Sequence, residues 1–556
     1  DNPNFLINHH LNSYNMFFEE GIKQIFKNNN PLRILKEQDQ ETKKYKYTCN
    51  IYFGGKNVDK IYYGKPVIYD EFVDQTSREH YMYPNEARLR NMTYGFSIHY
   101  DVELEFILLL ENDKGKIGDE KFITHKETVI LEKKYLGRFP IMLGSKMCIL
   151  NGLSKETKFN LGECRNDLGG YFIIDGKEKV IISQEGRADN VLYIKSDFNE
   201  LYSHVAEIRS VSEDVSKPIR TLSIRFVKET TTMSNNQIVV NIPNVRKPIP
   251  LFIVFRALGV ISDKEIIEYC LLDLDKYDNY MELLRPSVHD TGDIYTQESA
   301  LNFIATFTKR RNVMEILMNF LLPHIGELNF NNKALYLGYM VKRLLDVYSG
   351  SENDTDRDSY SRKRIEPSGI LIKNLFREYY LMQMKDIFKK IDKEYFYKAT
   401  GVTYQNADFI NLIVGNQNNI FNDRIVENGF KRAFKGDWGA EMHTKKTGVV
   451  QDLNRLSYFY TLCSLRKTVL PIAADGAKIV APRLLHSTQW GLLCPIHSPD
   501  GGNVGLHKHL STSTHITSGV SIKKYIDYLK SLKYNNDFVG IKLLEECPIQ
   551  FLSNTT

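Results

Sequence analysis

One stretch of this sequence comes close to a phosphate-binding loop without matching it. Gly170 and Gly176 approach the spacing of a P-loop, but they are one residue too far apart. Glu178 also stands where such a loop needs a magnesium-binding Ser or Thr. The apolar runs on either side of Asp175-Gly176 predict a β-hairpin instead.

A second group has the residue types that zinc prefers, namely Cys494, His497, His507 and His509. We expect the side chains of His507 and His509 to diverge, and we therefore predict no metal site there. Gly501-Gly502 and Gly505, in the same stretch, lack the preceding strand and following helix of a dinucleotide site.

The carboxylates are too scattered for metal-assisted catalysis. Two-metal phosphoryl transfer needs clustered carboxylates, whereas Asp408 is followed by the uncharged run Phe409–Leu412. We interpret Asp408 as an ordinary helix or loop residue. No local spacing brings together Ser, His and Asp, Cys and His, or two carboxylates, so we predict no catalytic residue in this chain.

The elements that must position these residues alternate between strands and helices. Apolar residues occupy every second position from Ile98 to Phe106, which predicts a half-buried antiparallel strand, and the same pattern returns from Leu222 to Phe226. Helices are predicted over Phe5–Asn28, Ile370–Tyr397 and, with a break at Pro323, Ala300–Tyr348. Ser262 and Glu265 have the spacing of a capping box. The predicted fold class is α+β and multidomain, with mixed antiparallel sheets and helices.

Length and composition indicate an ordinary globular protein. The chain has 556 residues, of which 42% are hydrophobic and 25% charged, enough for three or four domains. No apolar run approaches the ~20 residues that span a bilayer, and the first residues do not form a signal peptide. We expect an intracellular, soluble protein. Since the sequence lacks an initiator Met, we also expect a processed or truncated piece of a longer one.

Positive charge is concentrated near the carboxyl end. Residues 431–509, called the basic segment below, contain eleven Lys or Arg against five Asp or Glu, while the whole chain has a net charge of +5. Such a bias is typical of a surface that binds a phosphate-lined partner, or of a solvated basic face. The seven cysteines are scattered and form no C-x-x-C pair, which predicts reduced thiols.

Several segments, in this order, resemble the second-largest (beta-like) subunit of multisubunit DNA-directed RNA polymerases in its eukaryotic or archaeal form: Pro84–Tyr94, Gly137–Leu143, Gly169–Val180, Ser203–Ser210, Phe255–Gly259, Leu337–Met340, Asp356–Asp358 with Lys363-Arg364, Arg455–Lys467 and Pro482–Pro495. They cover nearly the whole chain. The resemblance implies the amino-terminal half of that subunit, with a protrusion at 1–203 and 371–433, a lobe inserted at 204–370, a fork at 434–515 and the start of an external domain at 516–556.

The resemblance also implies a function. The chain is expected to form one side of a polymerase cleft, beside downstream DNA and the RNA–DNA hybrid, with the largest and the smaller subunits as partners. Catalytic Mg²⁺ is then held by the largest subunit, and zinc is bound only beyond this region. Fork loops are expected at Gly436–Lys446 and Pro471–Lys478. The predicted phosphate contacts are Lys445, Lys446, Arg466, Lys467, Lys478 and Arg483.

Other residues of the fork-like segment have expected structural roles. His486 and Thr488 are interpreted either as packing or as contact residues, and Trp490 as a core residue. The sequence departs from the family at Ala473-Ala474, which stand where the family commonly has Gly-Arg and so lack its basic side chain, and at His497–Gly501, which replaces a usual Glu-Thr-Pro-Glu-Gly.

Two questions stay open at this point. The divergence and the Tyr-, Asn- and Lys-rich composition are typical of a large cytoplasmic DNA virus or of a fast-evolving eukaryotic lineage, which places the protein in the nucleus, or in host cytoplasm or a virion. An alternative function is a stand-alone nucleic-acid-binding or scaffold protein of the same fold that joins no polymerase.

Overall fold

The computed structural model describes residues 3–39, 43–71, 77–111, 122–212, 219–229, 236–308, 312–399, 406–442, 444–472, 479–517, 525 and 528. The chain divides into two compact units. The first unit combines Asp1–Gly186 with Arg364–Ser518, and the second combines Arg187–Lys363 with Gly519–Thr556.

Helices occur in both units. They are α1 (Asn8–Met16), α2 (Ile22–Asn29), α3 (Pro84–Leu89), α4 (Lys155–Asn160), α5 (Leu251–Leu258), α6 (Asp263–Leu271), α7 (Asp278–His289), α8 (Gln297–Thr306), α9 (Val313–Asn319), α10 (Phe330–Tyr348), α11 (Ser368–Ala399), α12 (Asn406–Gly415), α13 (Gln417–Phe421), α14 (Ile425–Phe434) and α15 (Tyr458–Leu465).

The strands are short except for one long pair, β6 and β7. They are β1 (Leu32–Gln38), β2 (Tyr45–Phe53), β3 (Ile61–Tyr63), β4 (Val67–Glu71), β5 (Ser77–Tyr81), β6 (Gly95–Glu111), β7 (Phe122–Pro140), β8 (Phe172–Ile174), β9 (Lys177–Ile181), β10 (Ser183–Arg187), β11 (Leu192–Ser196), β12 (Tyr202–Ser210), β13 (Arg220–Val227), β14 (Ile238–Asn241), β15 (Ile249–Pro250), β16 (Lys363–Glu366), β17 (Val450–Asp452), β18 (Lys467–Val469) and β19 (His507–His509).

The first unit is built on an antiparallel sheet with strand order β1-β2-β6-β3, to which β7 is added beside β6. The alternating residues from Ile98 to Phe106 on β6 are buried, as predicted. Helices α2 and α11 cover this sheet with aromatic side chains. The ring centroid of Phe26 lies 5.7 Å from that of Tyr100 on β6, and that of Tyr380 lies 6.1 Å from that of Phe53 on β2. The Tyr14 hydroxyl donates to the Pro140 carbonyl at 2.7 Å and so ties the helices to the end of β7.

Two small sheets of the first unit involve strands from the basic segment. In one the order is β17-β9-β8, and in the other β16-β10-β18-β19. The hairpin predicted around Asp175-Gly176 is confirmed, because β8 and β9 pair antiparallel and both turn residues have positive φ. In both sheets, strands of the basic segment pair with strands from earlier in the chain. This pairing holds the basic segment against the remainder of the first unit.

The second unit packs one antiparallel sheet, ordered β11-β12-β13-β14-β15, against helices α5 to α10. Leu222, Ile224 and Phe226 of β13 are buried, which confirms the predicted alternation. Phe226 stacks on Tyr348 with a centroid distance of 4.3 Å.

The two units give the mixed, multidomain α+β class that the sequence predicts. The unit boundaries fall at 186/187 and 363/364, whereas the predicted lobe runs from 204 to 370. The second unit begins earlier because β11 already pairs with β12 of its own sheet. The names protrusion, lobe and fork, and the external domain at 516–556, stay predictions.

The helix predictions differ in detail from the structure. The long helix predicted over Ile370–Tyr397 is confirmed as α11, and Asp408 lies in the first turn of α12. The predicted capping box is wrong, because Ser262 makes no side-chain cap bond although α6 does begin at Asp263. Ser262 is exposed, so water reaches the amides of that first turn.

The helical stretch predicted from Ala300 contains two interruptions, whereas the sequence predicts a single break at Pro323. Asn312 caps α9 by accepting a hydrogen bond from the Glu315 amide at 3.3 Å, which starts a separate helix. A second break follows around Leu322 and Gly326, both of which have positive φ.

Six cysteines lie among the described residues, and all six are free. Cys49, Cys148 and Cys270 are buried, whereas Cys164 is exposed. Cys547 lies outside the described residues. In the part of the chain that the structure describes, no helix combines the length and the hydropathy that crossing a bilayer requires.

Candidate nucleic-acid interface

The centre of the basic segment is held by helix α15 and the strand that follows it. Ser457 caps α15 by accepting a hydrogen bond from the Tyr460 amide at 3.1 Å. The helix ends at Leu465, and β18 then runs parallel to β10 and antiparallel to β19. This arrangement fixes the directions of the two neighbouring cations, Arg466 and Lys467.

Arg466 is buried, with 7% of its surface exposed. Its guanidinium donates to the main-chain carbonyls of Leu6 at 2.7 Å and Ser511 at 2.5 Å. Burial lowers the pKa of Arg466. In this chain the guanidinium therefore connects three distant segments of the first unit. Its contact with nucleic acid stays a prediction.

Lys467 is half-buried and lines a cleft of about 370 Å³. Its ammonium donates to the Gln451 side-chain oxygen at 3.4 Å. No carboxylate of the described residues forms an ion pair with Lys467. Burial lowers the pKa of Lys467, since the charge is partly withdrawn from water.

Two histidines share the face of Lys467. Lys467 is paired directly with His509 across β18 and β19, and His507 is paired with Val469. The expectation that His507 and His509 diverge is wrong, because residues two apart on a strand lie on the same face. Both line the cleft, together with His497.

The rings of His497 and His509 stack face to face, with centroids 3.5 Å apart and planes tilted by 9°. The Nδ1 of His509 lies 3.1 Å from the His497 carbonyl oxygen. Since a carbonyl only accepts, this Nδ1 carries the proton, and Nε2 of the neutral ring is an acceptor. Burial lowers the pKa of His509 to about 4 and, together with the charge of Lys467, also lowers that of His507.

The lysines of the predicted first loop are matched by carboxylates. Lys445 is 2.9 Å from Asp437, and both side chains are half-exposed. Lys446 is 3.6 Å from Glu366. An exposed pair such as Lys445–Asp437 contributes roughly 0–1 kcal/mol and opens readily, so Lys445 remains accessible to a phosphate. The Lys446–Glu366 pair is partly buried.

Arg483 is turned toward its own loop. Its guanidinium donates to the carbonyls of Gly502 at 2.6 Å and Val504 at 3.1 Å. Gly505 has a φ of +70°, and a Cβ there would lie 2.2 Å from the Arg483 carbonyl oxygen, so only glycine fits. The last predicted contact, Lys478, lies outside the described residues, as do Ala473-Ala474 of the second loop.

The interpretation of Trp490 as a core residue is wrong, because 83% of its surface is exposed. Several other apolar residues close to Trp490 in the sequence are also exposed, so apolar character does not predict burial in this stretch. His486 and Thr488 pair with each other, with the Nδ1 of His486 2.7 Å from the Thr488 hydroxyl. This contact is local and defines a short turn.

Arg455 belongs to an ion-pair network that the sequence patterns do not predict. Its guanidinium donates to Glu178 at 2.8 Å and to Asp167 at 3.1 Å. Arg88 donates to the same Glu178 at 3.0 Å and to Glu163 at 2.9 Å. These residues join α3, β9 and the basic segment. The misfit of Glu178 to a P-loop was the available signal, because a carboxylate in a tight hairpin needs cationic partners.

The electrostatics of this network are balanced. Burial on its own raises the pKa of Glu178, but the hydrogen bonds and charges of Arg455 and Arg88 bring it below its ordinary value. Burial raises the pKa of Glu163, against the opposing effect of Arg88. The Arg455 guanidinium also lies 4.9 Å from the centre of the Tyr171 ring. Arg455 is thus a structural cation.

The donor set does not fit a metal ion. Among the described residues, no three His, Cys, Asp or Glu side chains are grouped as a metal site requires. Asp408 lies in α12, and its neighbours Phe409 and Leu412 belong to the core. We therefore derive no metal-dependent step from these residues.

Comparison with known proteins gives matches over most of the chain. A family model described as "RNA polymerase beta subunit" matches residues 5–411, and one described as "RNA polymerase Rpb2, domain 3" matches residues 451–516. This chain belongs to the RNA polymerase beta subunit family. The resemblance found in the sequence is confirmed.

Its relatives within the family are second-largest subunits. The chain is 33% identical to the "DNA-directed RNA polymerase II subunit RPB2" of Encephalitozoon cuniculi, over 99% of this chain and 45% of that protein. It is 30% identical to the "DNA-directed RNA polymerase subunit Rpo2N" of Methanococcus vannielii, over 96% of this chain and 97% of that protein. The chain spans about half the length of the RPB2 relatives it matches.

Proposed function

We propose that this chain is a subunit, or a fragment of one, of a DNA-directed RNA polymerase and takes part in DNA-templated transcription. Within that enzyme it forms one side of the cleft, and its fork-like segment contacts downstream DNA and the RNA–DNA hybrid. The names of its relatives support the first statement. The second is supported by the cleft around Lys467, a half-buried cation without an ion-pair partner among the described residues.

The proposed contacts are to phosphate, because a polymerase must hold nucleic acid of any sequence. Lys467 is the leading candidate, followed by Lys445, whose ion pair is exposed, and then by Lys446, whose ion pair is partly buried. Lys478 and Arg483 complete the proposed set. Arg466 contributes to it by positioning Lys467, its neighbour in the chain.

The proposed partners are the largest polymerase subunit, the smaller subunits and the remainder of the second-largest subunit. Exposed large apolar side chains in the basic segment support this, because a partner chain would remove them from water. More than three quarters of each of the following is exposed: Met442, Leu456, Phe459, Trp490 and Ile496. The proposed location is the compartment that holds the template, namely the nucleus, or host cytoplasm or a virion if a virus encodes the chain.

In the assembled enzyme Mg²⁺ supplies the electrostatic stabilisation of phosphoryl transfer, and we propose that the largest subunit holds it. The purified chain alone is then expected to polymerise no nucleotides. Magnesium-dependent RNA synthesis by the chain, purified to homogeneity, would contradict this division of labour.

The proposed contact is tested by Lys467→Gln in the assembled polymerase. Loss of one phosphate contact is expected to shorten the lifetime of a stalled elongation complex by about tenfold and to reduce the salt slope of its stability by about 1. The measurement is complex lifetime at several salt concentrations.

Lys146→Gln is the matched control, since Lys146 is an exposed lysine of the same unit that pairs with Glu19. Its complexes should keep the wild-type lifetime and salt slope. An unchanged lifetime for Lys467→Gln at every salt concentration would refute the contact. Failure of the chain to co-purify with any polymerase subunit would favour the stand-alone alternative.

A further inference from the structure

Most of the side chains that line the cleft beside Lys467 can form hydrogen bonds. Strand β18 contributes Lys467, and β19 contributes His507 and His509. The facing elements contribute hydroxyl, amide and imidazole groups, those of Gln451, Asn454, Tyr460, Ser464, His497, Ser498 and Asn503.

We infer that this cleft is a binding site for a phosphate group, with Lys467 as the charged ligand and the imidazoles of His497, His507 and His509 as its other polar walls. This inference rests on the proposed function and makes it more specific, because it assigns the phosphate contact of Lys467 to a defined site for one phosphate group.

Charge favours an anion here. The lining carboxylate is that of Asp452, which is mostly exposed and lies 2.5 Å from the ammonium of Lys179. The Lys467 ammonium faces a neutral amide oxygen at 3.4 Å, a long contact that an anion would readily replace. Phosphate carries the opposite charge to the ammonium, so a contact between Lys467 and phosphate gains a Coulomb attraction that the neutral amide oxygen does not supply.

Size also fits. The cleft volume of about 370 Å³ is at the lower end of ligand-binding clefts, which run from roughly 300 to 1,000 Å³. A phosphate group fills only part of this volume. The remainder leaves space for the adjoining sugar of a strand, or for the water shell of a free anion.

Proton uptake accompanies binding in this inference. While the His509 ring is neutral, its Nε2 is an acceptor and repels an anion, and a proton there converts it into a donor. The other titratable groups that line the cleft are those of Lys467, Asp452, Tyr460, Cys463, His497 and His507. An anion stabilises the protonated forms of His507 and His509, whose pKa values are lowered in the free protein, so affinity rises as pH falls.

A metal ion is the competing occupant, because imidazoles and thiols are also zinc ligands. Lys467 at the centre of the lining opposes this, since an ammonium repels a dication. The stacked arrangement of His497 and His509, with one Nδ1 already engaged by a carbonyl, also fails to direct two ring nitrogens at one point.

The test uses the full chain with its histidines labelled with ¹³C at Cε1, titrated with inorganic phosphate at pH 7 and constant ionic strength. Nuclear magnetic resonance signals are assigned with single His→Asn variants. Saturable shifts are expected for the three cleft histidines. Lys467→Met should weaken phosphate binding by about tenfold, and Lys467→Arg should retain most of it. His125→Asn, which removes an exposed histidine of β7, should bind like the wild type.

Sulfate provides a probe whose charge is constant between pH 6 and 8. The affinity for sulfate should be about fivefold higher at pH 6 than at pH 8, because anion binding is coupled to proton uptake by the imidazoles. A single-stranded oligouridylate that shifts the same imidazoles identifies a strand phosphate as the ligand. Shifts with inorganic phosphate alone identify a free anion, and either result supports the site.

Three results would overturn the inference. They are shifts that do not saturate, equal binding by wild type and Lys467→Met with thermal unfolding unchanged, and shifts of the same imidazoles by Zn²⁺ but not by phosphate. None of these measurements requires polymerase activity. A failure here is therefore distinguishable from failure of the elongation-complex experiment.

Discussion

Arg455 and Lys467 belong to the same basic segment, yet their surroundings are opposite. Arg455 donates to two carboxylates, Glu178 and Asp167. Lys467 faces imidazoles, hydroxyls and amides, and its ammonium donates a hydrogen bond to the side-chain oxygen of Gln451. One cation is neutralised within the chain, and the other leaves its charge available to a ligand.

This difference shows why a run of positive charge does not by itself define a nucleic-acid surface. The segment has a surplus of six cations, but the fold uses Arg455 and Arg466 to hold itself together. Lys445 and Lys446 are intermediate, because the carboxylate that pairs with Lys445 is half-exposed and the one that pairs with Lys446 is partly buried. The surface that can bind a polyanion is what remains after these internal pairs are made.

The largest loss of stability is expected from removing Arg88, which shares Glu178 with Arg455 in the ion-pair network. Arg88→Met leaves Glu163 and Glu178 without one of their cations, and Glu163 is almost fully buried. Removing one partner of a buried ion pair costs about 4 kcal/mol. The free energy of unfolding of the first unit, from urea denaturation, should fall by about that amount.

The next effect is acid sensitivity at the contact between the amino-terminal helix and α15. His10 is buried, with Nε2 donating to the Leu465 carbonyl at 2.8 Å and Nδ1 accepting from Ser368 at 3.1 Å. Burial lowers the pKa of His10 to about 4. Between this value and the unfolded value of about 6.5, the unfolded state binds more protons, so stability falls as pH falls.

The loss across that window is about 3 kcal/mol at most, from about 1.4 kcal/mol per pH unit. Urea midpoints at pH 7, 6, 5 and 4.5 measure it. In His10→Gln the pH dependence should be shallower by this contribution. An identical pH profile in the variant would show that His10 does not titrate as described.

Lys467→Met sharpens the comparison, because here a cation is lost without breaking an ion pair. Replacing a partly buried charge by an apolar side chain of similar length is expected to leave stability unchanged or to raise it by about 1 kcal/mol. Denaturation of the two methionine variants side by side provides the measurement. A loss for Lys467→Met as large as that for Arg88→Met would mean that Lys467 is structural.

The smallest effect is expected at Lys445. Lys445→Gln removes an exposed pair with Asp437 and should change stability by less than about 0.5 kcal/mol. The same denaturation assay checks this. A loss above about 1 kcal/mol would place Lys445 with Arg455 among the structural cations.

Local patterns in the sequence predicted the elements well where one residue type fixes the backbone. Asp175-Gly176 predicted its hairpin because both positions adopt positive φ. The alternation from Ile98 to Phe106 predicted β6 because one face of that strand is buried. Such signals are local, and they depend on nothing else in the fold.

The site was harder to predict, because charge pairing is a long-range property. Arg455 meets Glu178, a residue far from it in the sequence, through the pairing of β17 with β9. Arg466 donates to the carbonyl of Leu6, which lies 460 residues earlier in the chain. The prediction that Trp490 is a core residue was wrong for a related reason, because apolar character does not show whether this chain or a partner covers the residue.

The central claim is tested most directly by cross-linking in an assembled elongation complex. RNA carrying 4-thiouridine at successive hybrid positions is irradiated, and the modified residues of this chain are identified by mass spectrometry. The account predicts cross-links at Lys467 or at the histidines of β19, and none at Arg455. Cross-links at Arg455 with none around Lys467 would contradict it.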